Sequence, residues 1–138
     1  MTSAAPQRPL PNFADPDTAA FWRATGEHKL TYQETADGRV VFYPRRHLGG
    51  EVRESAGDGV IYTFTVVRQH GHPFFRAHAP YVVALVDLDE GVRMMTNLVR
   101  DEEGFPSIAP EEVRIGMPVR VVFHDVTEEI TLPKFAPA

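Results

Sequence analysis

From residue 60 onward the chain is a series of five short runs of β-branched and aromatic residues, each closed by a turn, at 60–68, 81–87, 92–99, 119–124 and 129–132. Runs this short suit strands rather than helices. In 60–68 (VIYTFTVVR), Ile61, Thr63, Thr65 and Val67 alternate with Tyr62, Phe64 and Val66, the period of a pleated strand. Either Tyr62 or Phe64 is expected to supply an aromatic core residue. Residues 69–80 read as a loop because Gly71, Pro73 and Pro80 punctuate them. Leu88–Asp89–Glu90–Gly91 has hairpin-turn chemistry, residues 100–115 form a polar connection with one helical turn near 110–113, and 116–118 turn again. Five strands within roughly 85 residues predict a small barrel, since closure removes exposed strand edges.

Upstream the pattern changes. Residues 1–14, rich in Pro and Ala, read as a flexible arm. Residues 15–28 read as a helix, with Asp15 as N-cap, Pro16 at the first position and Asp17 in the first turn. Phe21, Trp22 and Ala24 give it a face to pack, and Gly26 can end it. Residues 29–51 read as a small hairpin, with strands at 29–33 and 39–43 around a turn at 35–38, then a loop through Arg45, Arg46, His47, Gly49 and Gly50. The fold class is therefore mainly β: an N-terminal helix, a hairpin too small to hold its own core, and a five-stranded barrel over 52–138 with a C-terminal tail.

Composition removes several functions. The chain has no cysteine, which excludes disulfides, thiolate metal sites and a cysteine nucleophile. Fourteen Lys and Arg against nineteen Asp and Glu give a net charge of −5, the wrong sign for a nucleic-acid binder. No apolar run approaches a membrane span, and the first residues lack a secretory core. The expected setting is cytoplasmic, without membrane. The serines, Ser3, Ser55 and Ser107, lack nucleophile-elbow contexts, and Gly49–Gly50 and Gly57–Asp58–Gly59 lack the helix and Lys-Ser/Thr of a phosphate loop.

Three constellations remain. His70 and His72, with His78 further on, could share a metal if the segment were extended; Gly71 and Pro73 argue instead for loop histidines. Phe74–Phe75 are candidate anchors for a protein partner, the alternative being simple packing over the barrel end. Arg45 and Arg46, with His47, are candidates for a phosphate-bearing ligand; the plainer reading is a solvated pair.

FWRATGEHKL (21–30), DGRVVFYPRRH (37–47), GVIYTFTVVRQ (59–69), PYVVALVDLDEGVRMMTNLV (80–99), IGMPVRVVF (115–123) and LPKF (132–135) together resemble an acyl-CoA-associated family, catalogued as a domain of unknown function. In it a rubredoxin-like zinc ribbon precedes an OB-fold barrel. The resemblance implies a non-catalytic accessory subunit of a thiolase-fold enzyme, a thiolase or a retro-aldolase such as one shortening steroid side chains. It also implies a two-plus-two assembly and a shared acyl-CoA ligand held by the adenosine phosphates at Arg45, Arg46 and Arg76. Phe21, Trp22, Phe74, Phe75 and Tyr81 would meet the partner. The family's zinc cysteines are missing: the matching places fall near Glu34, Asp37, Leu48 and Glu51, so the structural zinc is expected to be lost and Phe42, Tyr43 and Leu48 to hold the hairpin by packing. The competing expectation is a stand-alone small β-barrel enzyme or a metal- or ligand-binding protein using His70, His72 and His78.

Overall fold

The computed structural model describes residues 7–12, 14–101 and 107–138. Its elements in chain order are α1 (Ala19–Gly26), β1 (Thr31–Glu34), β2 (Val40–Val41), β3 (Glu51–Glu54), β4 (Asp58–Val67), α2 (Pro73–His78), β5 (Tyr81–Leu88), β6 (Arg93–Leu98), β7 (Pro118–Asp125) and β8 (Thr131–Pro137). Short 3-10 turns occupy Arg46–Leu48 and Pro110–Glu112. The long strands close into a five-stranded barrel in the order β4-β5-β6-β8-β7, with β7 returning to β4. All neighbours are antiparallel except β6 and β8, whose parallel contact is the pair Leu98 and Phe135. This connectivity and closure are those of an OB-fold. No helix among the described residues is long and apolar enough to cross a membrane.

Burial follows the strand period. On β5, Val82, Ala84, Val86 and Leu88 point inward, and on β6, Met94, Thr96 and Leu98 do. β4 departs from strict alternation because a bulge falls between Ile61 and Thr63. The bulge leaves Tyr62 outside, 47% exposed, with the Arg93 guanidinium 3.4 Å from its ring centroid. The core aromatic expected of either Tyr62 or Phe64 is Phe64, which packs against the core. Gly59 lies where β4 meets β5: a Cβ there would stand 2.4 Å from the Asp87 carbonyl oxygen.

The N-terminal module is a three-stranded sheet of order β2-β1-β3 plus α1. Residues 51–54 pair with β1, so the strand that follows the glycine loop belongs to this sheet and not to the barrel. Helix α1 begins later than expected. Asp15 Oδ1 accepts the Asp17 N–H at 3.0 Å, which makes a turn before the helix. Thr18 takes the N-cap position without a side-chain bond. Residues 69–80 are not wholly loop, since Pro73–His78 coils into α2. There His72 Nδ1 accepts the Phe74 N–H at 3.1 Å, an N-cap, with Pro73 in the first turn.

Phe21 joins the two parts. It is 2% exposed and meets Trp22, Phe42 and Tyr43 at ring-centroid distances of 4.9, 5.5 and 4.4 Å. It belongs to the same buried cluster as Val82, Met94, Leu98 and Phe135 of the barrel. The hairpin is thus held by packing through Phe42 and Tyr43, whereas Leu48 is 39% exposed and takes no part. Truncating Phe21 to Ala removes the shared ring from both layers. In equilibrium urea unfolding Phe21→Ala should lose about 3–5 kcal/mol, the usual cost for a large buried aromatic.

Candidate functional site

Two regions of the surface carry chemistry, and both flank α1. The first is an open cavity of about 600 Å³ between the N-terminal module and the outer face of the barrel. Trp22, Phe42 and Tyr43 form one wall, Phe75 and Tyr81 another, and Met95, Asn97 and Lys134 the barrel side. Arg8, Pro9 and Pro11 cross its edge. The described part of the arm is therefore applied to the body: the Arg8 guanidinium lies 5.3 and 5.7 Å from the rings of Phe74 and Phe75. Residues 1–6 and Phe13 lie outside the described residues.

Lys134 is the unusual group. It is 5% exposed, and its ammonium donates a hydrogen bond to Asn97 Oδ1. Phe135, its neighbour on β8, is fully buried. Successive strand residues face opposite ways, so β8 is covered on both faces, by the barrel core behind Phe135 and by the cavity floor around Lys134. Burial first, and then the nearby Arg8 charge, together lower the Lys134 pKa from 10.5 to about 7. Burial likewise raises the Tyr43 and Tyr81 phenols. His124 is pushed down by burial, then by Arg8 and Lys134.

The second region is the glycine loop beside α1. Arg45 and Arg46 line a depression together with Arg23, Asp17 and Gln33. The Gln33 side chain, 2% exposed, crosses from β1 into this loop. Its Nε2 donates to the Arg45 carbonyl at 3.0 Å and the Gly49 carbonyl at 2.5 Å, and its Oε1 accepts the Arg45 N–H at 2.9 Å. Asp17 clasps the same loop from the other side, accepting the His47 N–H at 2.9 Å and meeting the His47 ring Nδ1 at 2.7 Å. The backbone bond to the His47 N–H heads the causes that lower the Asp17 pKa. Gly50 is required by proximity as well as by φ +81°, since a Cβ there would stand 2.1 Å from the Glu34 carbonyl oxygen.

The places expected for zinc ligands do not form a donor set. Glu34 accepts the Arg53 Nε–H at 2.7 Å, and Glu51 meets Arg53 Nη2 at 2.8 Å. Asp37 is bonded to the Thr35 hydroxyl and to Arg39. Leu48 offers no donor atom. Among the described residues no three His, Asp or Glu side chains converge on a common point. These residues do not fit a zinc ion.

The remaining sequence candidates separate. Phe21 and Tyr81 are buried, at 2% and 5% exposure, so neither stands on the surface as a contact residue. Trp22, Phe74 and Phe75 are half-buried at the surface. Arg76 is not near the arginine pair's depression: it lines another with Arg68 and His70, and its guanidinium donates to the His70 and Gly71 carbonyls. The histidine loop does not converge on a metal. His70 Nδ1 accepts the His72 N–H, His72 Nδ1 caps α2, and His78 Nδ1 meets the Phe74 carbonyl at 2.8 Å. Lys134, Asn97, Gln33 and Arg8 were missed from sequence. One signal existed for Lys134, a lone cation inside the apolar run ITLPKFAP.

The structure is an OB-fold barrel carrying a helix-and-sheet module on one side. Residues 52–124 match the family described as ChsH2, C-terminal OB-fold domain, and the chain belongs to that family. It is 37% identical over 129 residues to the probable enoyl-CoA hydratase alpha subunit of Thermomonospora curvata, covering 88% of this chain and 38% of that protein. It is 34% identical to the 3-oxo-4,17-pregnadiene-20-carboxyl-CoA hydratase alpha subunit of Mycobacterium tuberculosis, covering 79% of this chain and 34% of that one. The chain therefore spans little more than a third of the length of these curated relatives. A solved structure, the Ltp2-ChsH2(DUF35) aldolase, superposes with a TM-score of 0.72 at 36% identity, covering 94% of this chain and 98% of that chain.

The pKa of Lys134 has a stability consequence of definite sign. Above about pH 7 the folded state sheds this proton while the unfolded chain still binds it, up to the ordinary lysine value of 10.5. The unfolded state then binds more protons, so this group makes stability rise with pH across that window. The stability of the wild type relative to Lys134→Met should climb between pH 7 and pH 10, by no more than about 1.4 kcal/mol per pH unit. Urea melts of the two proteins across that range check it.

Proposed function

We propose that this chain is a non-catalytic accessory subunit of a thiolase-fold enzyme that acts on an acyl-CoA ester, a thiolase or a retro-aldolase of the kind that shortens steroid side chains. The observation that carries the reading is the match, over nearly the whole of both chains, to a chain of the Ltp2-ChsH2(DUF35) aldolase. The hydratase alpha subunits among its relatives also act in acyl-CoA chemistry by name. In this reading Trp22, Phe74 and Phe75 meet the partner. Arg45 and Arg46, in a depression that also holds Arg23, receive the phosphates of the CoA ester. Arg76, tied to its own loop, serves to hold α2 in place. The complex is a two-plus-two heterotetramer in the cytoplasm, because a thiolase-fold dimer offers two equivalent docking faces.

Co-expression tests this directly. The tagged chain should bring down a thiolase-fold enzyme near one-to-one, and the pair should cleave or thiolyse an acyl-CoA that neither turns over alone. Turnover by the small chain alone, or a partner equally active without it, overturns the reading. Arg45→Ala with Arg46→Ala should raise the KM of the complex for the CoA ester by about tenfold with little change in kcat. Phe74→Ala should weaken assembly by about tenfold or more.

The same reading holds that the N-terminal module stands without zinc, its glycine loop tied to β1 by Gln33 and to α1 by Asp17. Treating the complex with a chelator should then leave its melting temperature and activity unchanged. Gln33→Leu should cost the chain about 1–3 kcal/mol, since it strands the Arg45 and Gly49 polar groups. A stoichiometric zinc content, or unfolding on chelation, would overturn it.

A further inference from the structure

We propose that the aromatic groove between α1, α2 and the outer face of the barrel is a docking site for an extended, proline-rich segment of a partner protein that carries an arginine. This chain's own arm is a segment of that kind, and it lies on the groove. Residues 7–12, QRPLPN, belong to no helix or strand. Arg8 and Pro11, three residues apart, are half-buried, whereas Gln7, Pro9, Leu10 and Asn12 are exposed. A burial period of three is the period of a polyproline II helix. Pro9 and Pro11 fix their own φ and bias Arg8 and Leu10 toward extended backbone. Little ordering entropy is then lost when such a segment docks.

The chemistry of the groove suits this occupant. Trp22, Phe42, Tyr43, Phe75 and Tyr81 line it, and aromatic-lined grooves are what proline-rich segments dock into. Proline carries no N–H, so laid along apolar rings it strands no backbone donor. The Arg8 guanidinium lies 5.3 and 5.7 Å from the ring centroids of Phe74 and Phe75, within cation–π range. The arm covers only one edge. About 600 Å³ stays open along Trp22, Tyr43 and Met95, and Met95, 70% exposed there, is an unbranched side chain that adapts to what it meets. The groove is larger than its resident. The arm is thus a placeholder, and a longer segment of the same chemistry displaces it and takes the place of Arg8 over Phe74 and Phe75.

The proposal does not rest on the accessory-subunit reading, because the test uses the full chain alone and its failure leaves the co-expression result untouched. Trp22 is the single tryptophan and lines the groove, so its emission reports occupancy. The probe is a peptide of residues 7–12, QRPLPN, blocked at both ends. Its control carries alanine in place of the arginine and both prolines. Arg8→Ala combined with Pro11→Ala removes from the full chain the two side chains that seat its own arm. The probe should shift Trp22 emission saturably in this variant and bind it at least about tenfold more tightly than the wild type, whose arm competes at an effective concentration of about millimolar. The control peptide should bind at least about tenfold more weakly than the probe. Equal titrations by probe and control, no change in the Trp22 emission of the variant, or equal affinities for variant and wild type each overturn the proposal. So does a sedimentation mass of two chains in the wild type that falls to one in the variant, since it would seat a second copy's arm in the groove. If the variant loses the circular-dichroism spectrum of the wild type, the preference for probe over control on the wild type decides alone.

Discussion

The barrel closes at one seam, and the rest of the molecule is arranged around it. β6 and β8 run parallel and share one register pair, Leu98 with Phe135, both fully buried. The Val99 N–H donates to the Phe135 carbonyl at 2.8 Å and completes the join. So small a ladder cannot hold on hydrogen bonds alone, whose net contribution is about 1 kcal/mol each. It is held by burial on both sides. The core packs behind Phe135, and α1 lies against β8 from outside. The module is thus part of what keeps the barrel shut, and Phe21, shared by both layers, is where the two depend on each other.

Covering β8 from outside has a chemical consequence. A strand with two buried faces ordinarily reads as continuously apolar, yet β8 carries Lys134 on the second face. The same contact that seals the seam therefore creates a cavity with Lys134 at its floor, aromatic walls and Arg8 at its edge. On the far side of α1, Gln33 and Asp17 fix the glycine loop that presents Arg45 and Arg46. Both candidate regions are thus set by where α1 lies. A change in the packing of Phe21 would be felt in each.

The strand-rich half was legible because its code is local. Alternation on β5 and β6, the Gly91 turn and the Gly116 turn each read out within a few residues, and the barrel follows from their number and length. Local patterns failed where a distant partner decided the outcome. Tyr62 and Phe64 looked equally fit for the core until the bulge turned Tyr62 toward Arg93. Residues 51–54 looked like the approach to the barrel, but their partner is β1, twenty residues back. Residues 69–80 looked like loop because Gly71 and Pro73 break patterns; a proline at the first helical position starts a helix as readily, and His72 caps it.

The sequence by itself determined a mainly β chain with a small five-stranded barrel, a helix-and-hairpin appendage, a net negative charge and no thiol chemistry. Those properties rest on periodicity, turn residues and composition, which act over a few positions. Only the tertiary structure decided which aromatics are surface and which are core, that Arg76 stands apart from Arg45 and Arg46, that Glu34, Asp37 and Glu51 are spent on ion pairs, and that Lys134 is buried in a cavity. Each of these depends on contacts between residues far apart in the chain. Burial, ion pairing and pKa are properties of what surrounds a side chain, and a linear sequence does not state what surrounds it.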